Sequence, residues 1–315
     1  MPRPDRPSRS LRLVALVTAV VLAEAAPVVH AQPVRAPRAD AVTETPAPRR
    51  ASRVRKVDRR RLLAVNVGLT SLFTLARGVV GGSVHGAGDG AEALGWGAVA
   101  GLGFYLAKDA VGRGHEPLGV GLAFASASLA ENAARGGGAF GHARVGFGPI
   151  DLRLRTPLAT DEDGPNLAAE VDPLSAAALV GLPLRGGRPI IRGGLLLYVF
   201  DDLGTTRYYR RRGNTIGRVA RVDARAQDLV VRHEMVHQIQ AIQVGAVTPY
   251  GTLGALWPEA APTSADGAVQ WDARVDWLYL VLGGANLLLA DDPRGRPSEL
   301  EAYELDEPPA APADR

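Results

Sequence analysis

The 315-residue chain contains no cysteine. No disulfide can brace it, and any metal it binds cannot be held by thiolate. Lysine is nearly absent as well: Lys56 and Lys108 are the only two among 36 basic residues, and the rest are arginine. The 33 acidic residues leave a net charge of only +3. The basic excess lies mostly before residue 62, and the later arginines are dispersed among carboxylates. A polyanion needs clustered charge, so nucleic-acid binding has no support. Aromatic residues are few, at 5%, yet apolar residues reach 46%, enough to bury the core of one large domain or two modest ones. Histidine is scarce too, six in the whole chain, so a pair at a defined spacing stands out.

Residues 1–31 have the parts of a secretory signal. Arg3, Arg6, Arg9 and Arg12 make a positive start, Leu11 to Ala26 an apolar middle, and Val29-His30-Ala31 a small-residue cleavage site. Glu24 and Pro27 interrupt the apolar stretch, which argues against a retained spanning helix, although an uncleaved anchor is the alternative. The expectation is an exported protein: periplasmic, cell-envelope or secreted. Residues 32–61, rich in Pro, Ala and Arg without apolar periodicity, are expected to be a disordered linker. Its arginines suit either water or an anionic membrane surface.

Residues 62–135 change character. Three apolar runs rich in Gly and Ala, Leu62–Val80, Leu94–Val111 and Leu118–Ala133, are separated by polar, glycine-containing turns. Gly97 and Gly101, then Gly119, Ala123 and Ala127, recur at near-helical spacing, which lets helices approach closely. Each run is marginal for crossing a bilayer. The region reads equally as a compact helical subdomain or as a membrane-seated hairpin, so membrane contact through residues 62–135 is an open expectation. Asn66, Glu131 and Asn132 fall within or at the ends of these helices and need partners if buried.

From Gly136 the period becomes two. Arg144–Arg155 alternates like a strand, Ala169–Leu182 and Pro189–Phe200 read as further strands, and Asn214–Asp223 as another. Pro249–Gly267 is a Pro-rich loop with Trp257, and Val269–Ala290 reads as a core helix on which Asp272 and Asp276 stand one turn apart, able to hold a histidine ring or simply to face water. The fold class is α+β: a Gly/Ala-rich helical portion, then a small β-sheet and a pair of functional helices within a domain spanning 136–307, with 308–315 a frayed tail.

The chemistry concentrates in Asp228-Leu-Val-Val-Arg-His233-Glu234-Met-Val-His237-Gln-Ile. His-Glu-x-x-His on a helix puts two imidazoles one turn apart on one face, where both reach one metal ion, with a carboxylate beside them. Asp228 is a candidate N-cap, and no Gly or Pro interrupts the run before Gly245. A surface helix with two unrelated histidines is the plain alternative. The segment resembles the extended signature of the zincin metallopeptidases: Val230 stands three places before the first histidine, Val231, Met235, Val236 and Gln238 are uncharged, and Ile239 closes it. The resemblance covers about a dozen residues. It implies Zn2+ on His233 and His237, Glu234 as general base, a second helix carrying a third ligand, and an edge strand just before the zinc helix where a substrate peptide could pair.

His237 is the last histidine, so a third ligand must be a carboxylate, which points to the gluzincin kind. The gluzincins include integral-membrane zinc proteases related to the prenyl-protein endopeptidases. In Ser298–Asp306, Glu299 has the small residue Ala302 three places on, as in gluzincins, but Tyr303 stands where an Asp is expected. Glu299 is therefore the expected ligand and Glu301 the reserve, with Tyr303 left to orient a histidine or to stabilise an oxyanion. The acidic run also reads as a solvated tail. The function these residues imply is a zinc-dependent hydrolase, most simply a metallopeptidase acting on a peptide or protein. The alternative is an exported, membrane-associated scaffold or binding protein whose zinc site is structural or degenerate.

Overall fold

The three glycine- and alanine-rich runs form long helices in the computed structural model: α1 (Arg59–Val80), α2 (Ala87–Gly112) and α3 (Glu116–Arg135). The structure describes residues 59–136, 139–159, 166–201, 203, 213–224, 228–249, 251–252, 269–282, 301–302 and 305. The expected signal and most of the linker lie outside them, but Arg59, Arg60 and Arg61 belong to the first turn of α1 rather than to a linker. Small residues set the packing, as the spacing predicts. A methyl group on Gly101 would lie 2.6 Å from the Asn66 carbonyl oxygen, and one on Gly97 2.8 Å from the Ser71 Cα. Neither backbone can yield, so α1 and α2 meet only because these positions lack side chains. Glycine also ends α3, where Gly136 adopts φ 70° and donates its N–H to the Ala133 carbonyl.

Two four-stranded sheets follow. The first runs β1 (His142–Phe147), β2 (Ile150–Arg155), β3 (Leu167–Val171) and β8 (Val269–Ala273) in that spatial order, antiparallel except for the parallel β3–β8 pair. The second is ordered β4 (Arg188–Arg192), β5 (Leu195–Phe200), β7 (Val219–Asp223) and β6 (Gly213–Ile216), antiparallel except for β5–β7. Between them in sequence lies helix α4 (Pro173–Gly181), and α5 (Asp228–Val247) carries the histidine pair. The mixed helix-and-sheet class is as expected, with more strands than the sequence suggests.

The differences share one cause: apolar runs hide turns. The alternating stretch 144–155 is a hairpin bent at Gly148, and 214–223 is one bent at Gly217, both with positive φ. Residues 189–200 are likewise two strands, β4 and β5, around Gly193-Gly194. Ala169–Leu182 is not a strand throughout: β3 stops at Val171, and Asp172 caps α4 by accepting from the Leu174 N–H at 3.0 Å, with Pro173 in the first turn. Val269–Ala290 begins as strand β8, and helical turns run only over 277–282 of the described residues. Asp272 is therefore on a strand, and Asp276 accepts from Arg274 Nε at 2.7 Å, so the two do not stand one helical turn apart.

The main core joins helices and second sheet. Phe104, Val120, Phe124, Leu195, Leu197, Val222, Met235, Ile239 and Ile242 are all buried in it. The first sheet instead turns its charges inward. Buried Arg144 pairs with Glu131 and Asp151, Arg218 also holds Asp151, and buried Arg274 reaches Glu131 at 3.2 Å and Glu170 at 2.7 Å. Burial works to raise the Asp151 pKa, but Arg144 and Arg218 outweigh it and bring it down to about 2.

Candidate metal centre

Helix α5 is held from three sides before its histidines do anything. At its start, Asp228 accepts from Arg192 at 3.2 Å, and Arg192 also clasps both Glu116 oxygens at 2.9 and 2.6 Å. This ties β4, α3 and α5 together. In its middle, buried Gln238 donates to the Leu196 carbonyl at 2.8 Å and to the Arg218 carbonyl at 2.6 Å, fixing the helix to the second sheet. Val231, Met235, Val236, Ile239 and Ile242 bury against the helical layer and that sheet. The 3.6-residue period then leaves His233, Glu234 and His237 on the remaining face.

The two imidazoles meet there. His233 Nε2 and His237 Nε2 lie 3.2 Å apart, with the ring planes at 85°. Two nitrogens bound tetrahedrally to one zinc at about 2.0–2.1 Å would be about 3.3 Å apart, so the pair is spaced for a shared ion. The tautomer of His237 follows from its neighbours. Gln240 Nε2 donates to Glu301 Oε2 at 2.7 Å, which turns Gln240 Oε1 toward His237 Nδ1 at 2.8 Å. An amide oxygen only accepts, so His237 carries its hydrogen on Nδ1, and its Nε2 is the unprotonated nitrogen that faces His233.

Glu234 sits beneath the second sheet. Its carboxylate accepts from Thr215 Oγ1 at 2.7 Å and is only 5% exposed. Thr215 belongs to β6, the edge strand of that sheet among the described residues. A methyl group on Gly213, in the same strand, would stand 2.5 Å from Glu234 Oε1. The edge strand thus lies directly over the carboxylate between the histidines.

Glu301 has other work than the ligand role held in reserve for it. Its Oε1 receives Lys108 Nζ at 2.7 Å and Asn66 Nδ2 at 2.6 Å, while Oε2 receives Gln240. Burial works to raise its pKa, but Lys108 and these donors hold the carboxylate below its usual range. Lys108 spends its other hydrogens on Asn66 Oδ1 at 2.6 Å and Gln243 Oε1 at 2.9 Å. A metal would have to displace a buried ammonium to reach Glu301. Glu299 and Tyr303 lie outside the described residues, and among the described residues no group of three His, Asp or Glu side chains converges as a metal site.

Sequence reasoning missed Thr215, Gln240 and Tyr279. Gln240 was accessible in principle, since it follows His237 by three residues and so shares its face. Tyr279 had no local signal. Burial, then the charges of Asp172, Glu234 and Asp276, push its hydroxyl up to about 12. Comparison with protein-family models, curated proteins and solved structures yields no match.

Proposed function

We propose that the protein is a zinc-dependent hydrolase, most simply a metallopeptidase, with His233, His237 and Glu299 as the zinc ligands. The observation that carries the reading is the 3.2 Å approach of the two Nε2 atoms beside a buried carboxylate. The donor set suits the metal: two imidazoles, one with its tautomer set for ligation, and no thiolate anywhere. A zinc ion held there supplies Lewis acidity toward water and toward a substrate carbonyl.

The chain's own residues do the rest. Glu234 accepts a proton from the attacking water and returns it to the leaving amine, so the carboxylate ends the cycle as it began. Thr215 donates to one carboxylate oxygen at 2.7 Å and fixes the carboxylate's orientation. Strand β6 offers its edge to an extended substrate, which would lay its scissile carbonyl beside Glu234.

Glu234→Gln preserves size and hydrogen bonding but not basicity. It should retain zinc at the parental stoichiometry and lower the turnover of a generic peptide substrate by about 10²- to 10⁴-fold. Turnover within a factor of two of the parent would remove Glu234 from the base role. Chelation adds a second check: a catalytic ion is lost with activity while the fold persists, whereas a structural ion takes stability with it.

A further inference from the structure

Helix α1 has its polarity reversed. Its buried stripe is Leu62, Asn66, Thr70, Thr74 and Gly78, one residue per turn and mostly polar. Between Arg61 and Gly81 every exposed residue is Ala, Val or Leu, including Val65 at 52%, Leu69 at 49% and Leu72 at 60%. Helix α2 repeats the arrangement. It buries Lys108 and a row of Gly and Ala, and its exposed residues between Gly95 and Arg113 are Val99, Leu102 and Leu106. A helix on a water-facing surface does the opposite, turning its apolar stripe inward. Small residues between helices, polar groups inside and branched aliphatics outside are the arrangement of helices surrounded by hydrocarbon.

We infer that α1 and α2 are a hairpin inserted in a lipid bilayer, with these aliphatic faces against the acyl chains. Length agrees: the apolar run of α1, Leu62–Val80, rises about 28 Å, against a hydrocarbon core of about 30 Å. By length and composition α1 passes as a membrane-crossing helix and α2 does not; α2 is placed in the bilayer by its packing on α1 and by its exposed Val99, Leu102 and Leu106. The ends agree too. Arg59 pairs with Asp109 at 3.3 Å, so the start of α1 and the end of α2 share one level, where Arg60, Arg61 and Arg113 are exposed. That level carries the charge to meet anionic head groups. The connection at the other end and the first turns of α2 hold exposed His85, Asp89 and Glu92 for the opposite interface. Inside, the one buried lysine of the hairpin has all its hydrogens taken by Glu301, Asn66 and Gln243, as an ionic group near hydrocarbon requires.

The absence of cysteine makes a direct test simple. The full chain would carry single substitutions Leu69→Cys, Leu72→Cys, Leu102→Cys or, as a control, Leu184→Cys, which is 83% exposed outside the hairpin. Each is purified in detergent, reconstituted into vesicles of three parts phosphatidylcholine to one part phosphatidylglycerol, and exposed to a membrane-impermeant maleimide. The first three should label at least tenfold more slowly in vesicles than Leu184→Cys, and at comparable rates once the vesicles are denatured. Brominated acyl chains should quench an environment-sensitive fluorophore at the same three sites. Labelling as fast as the control, or a chain that stays in solution without detergent and fails to float with the vesicles, overturns the inference. Zinc content measured on the same samples separates the two readings: insertion without zinc leaves the hairpin standing and removes the hydrolase.

Discussion

The Nδ1 hydrogen of His237 is placed by a residue that never touches the metal position. Gln240 can orient the imidazole only because Glu301 orients Gln240, and Glu301 is in turn held by Lys108 and Asn66. Gln240→Ala should therefore weaken zinc binding by about 10- to 100-fold in a calorimetric titration, with no loss of helix content. An unchanged affinity would make the contact incidental. Glu301→Leu should behave differently: it leaves Lys108 buried without its counter-ion and should cost about 3–5 kcal/mol of stability in chemical denaturation, with zinc stoichiometry retained in the folded fraction. Loss of stoichiometry at full stability would instead make Glu301 a ligand. His233, Glu234 and His237 were legible in the sequence because a single helical turn brings them together. The Asn66–Glu301 contact spans 235 positions, and no local pattern reports such a pair.

Helix α5 is positioned by the elements on either side of it. Helix α5 was legible from its uninterrupted run, although Asp228, the expected N-cap, is the first residue of the helix itself, and α1–α3 were legible from their apolar runs, because helical period survives in a long segment. The strands were less legible. Gly148, Gly193-Gly194 and Gly217 each fold an apparent single strand into a hairpin, and Asp172 starts a helix inside an apolar stretch that alternation alone could not divide. The hairpin around Gly217 matters most, since it makes β6 an edge above Glu234 instead of one long strand beside it. Gly213→Ala would push a methyl group into the carboxylate. We expect zinc content and thermal stability near the parent's but turnover reduced by at least tenfold. Parental turnover would show that Glu234 moves aside at no cost to the chemistry.

At the scale of the whole molecule, charge is buried where the sequence suggested only dispersed arginines. The Arg144–Asp151–Arg218 cluster joins the first sheet to the second, and Arg274 extends it to Glu170 and Glu131. The Asp151 carboxyl has a folded pKa of about 2, below its unfolded value of about 3.9. A depressed carboxyl contributes stability that is present above the unfolded value and lost as pH falls through the folded one. Asp151 alone then represents about 2 to 3 kcal/mol at neutral pH, lost between about pH 4 and pH 2. Asp151→Asn should flatten that acid limb in denaturant melts followed from pH 6 to pH 2, and an unchanged limb would contradict the assignment. No periodicity announces such a network, because its members are single residues on different elements.

The proposed centre is one zinc ion held by two described histidines and a glutamate outside the described residues. Elemental metal analysis of the full chain beside His237→Ala and Glu299→Ala tests it most directly. We predict about one zinc per parent chain and loss of the ion in both variants. A parent that binds no zinc even when the ion is supplied, or a Glu299→Ala variant that keeps a full equivalent, would contradict the proposed centre.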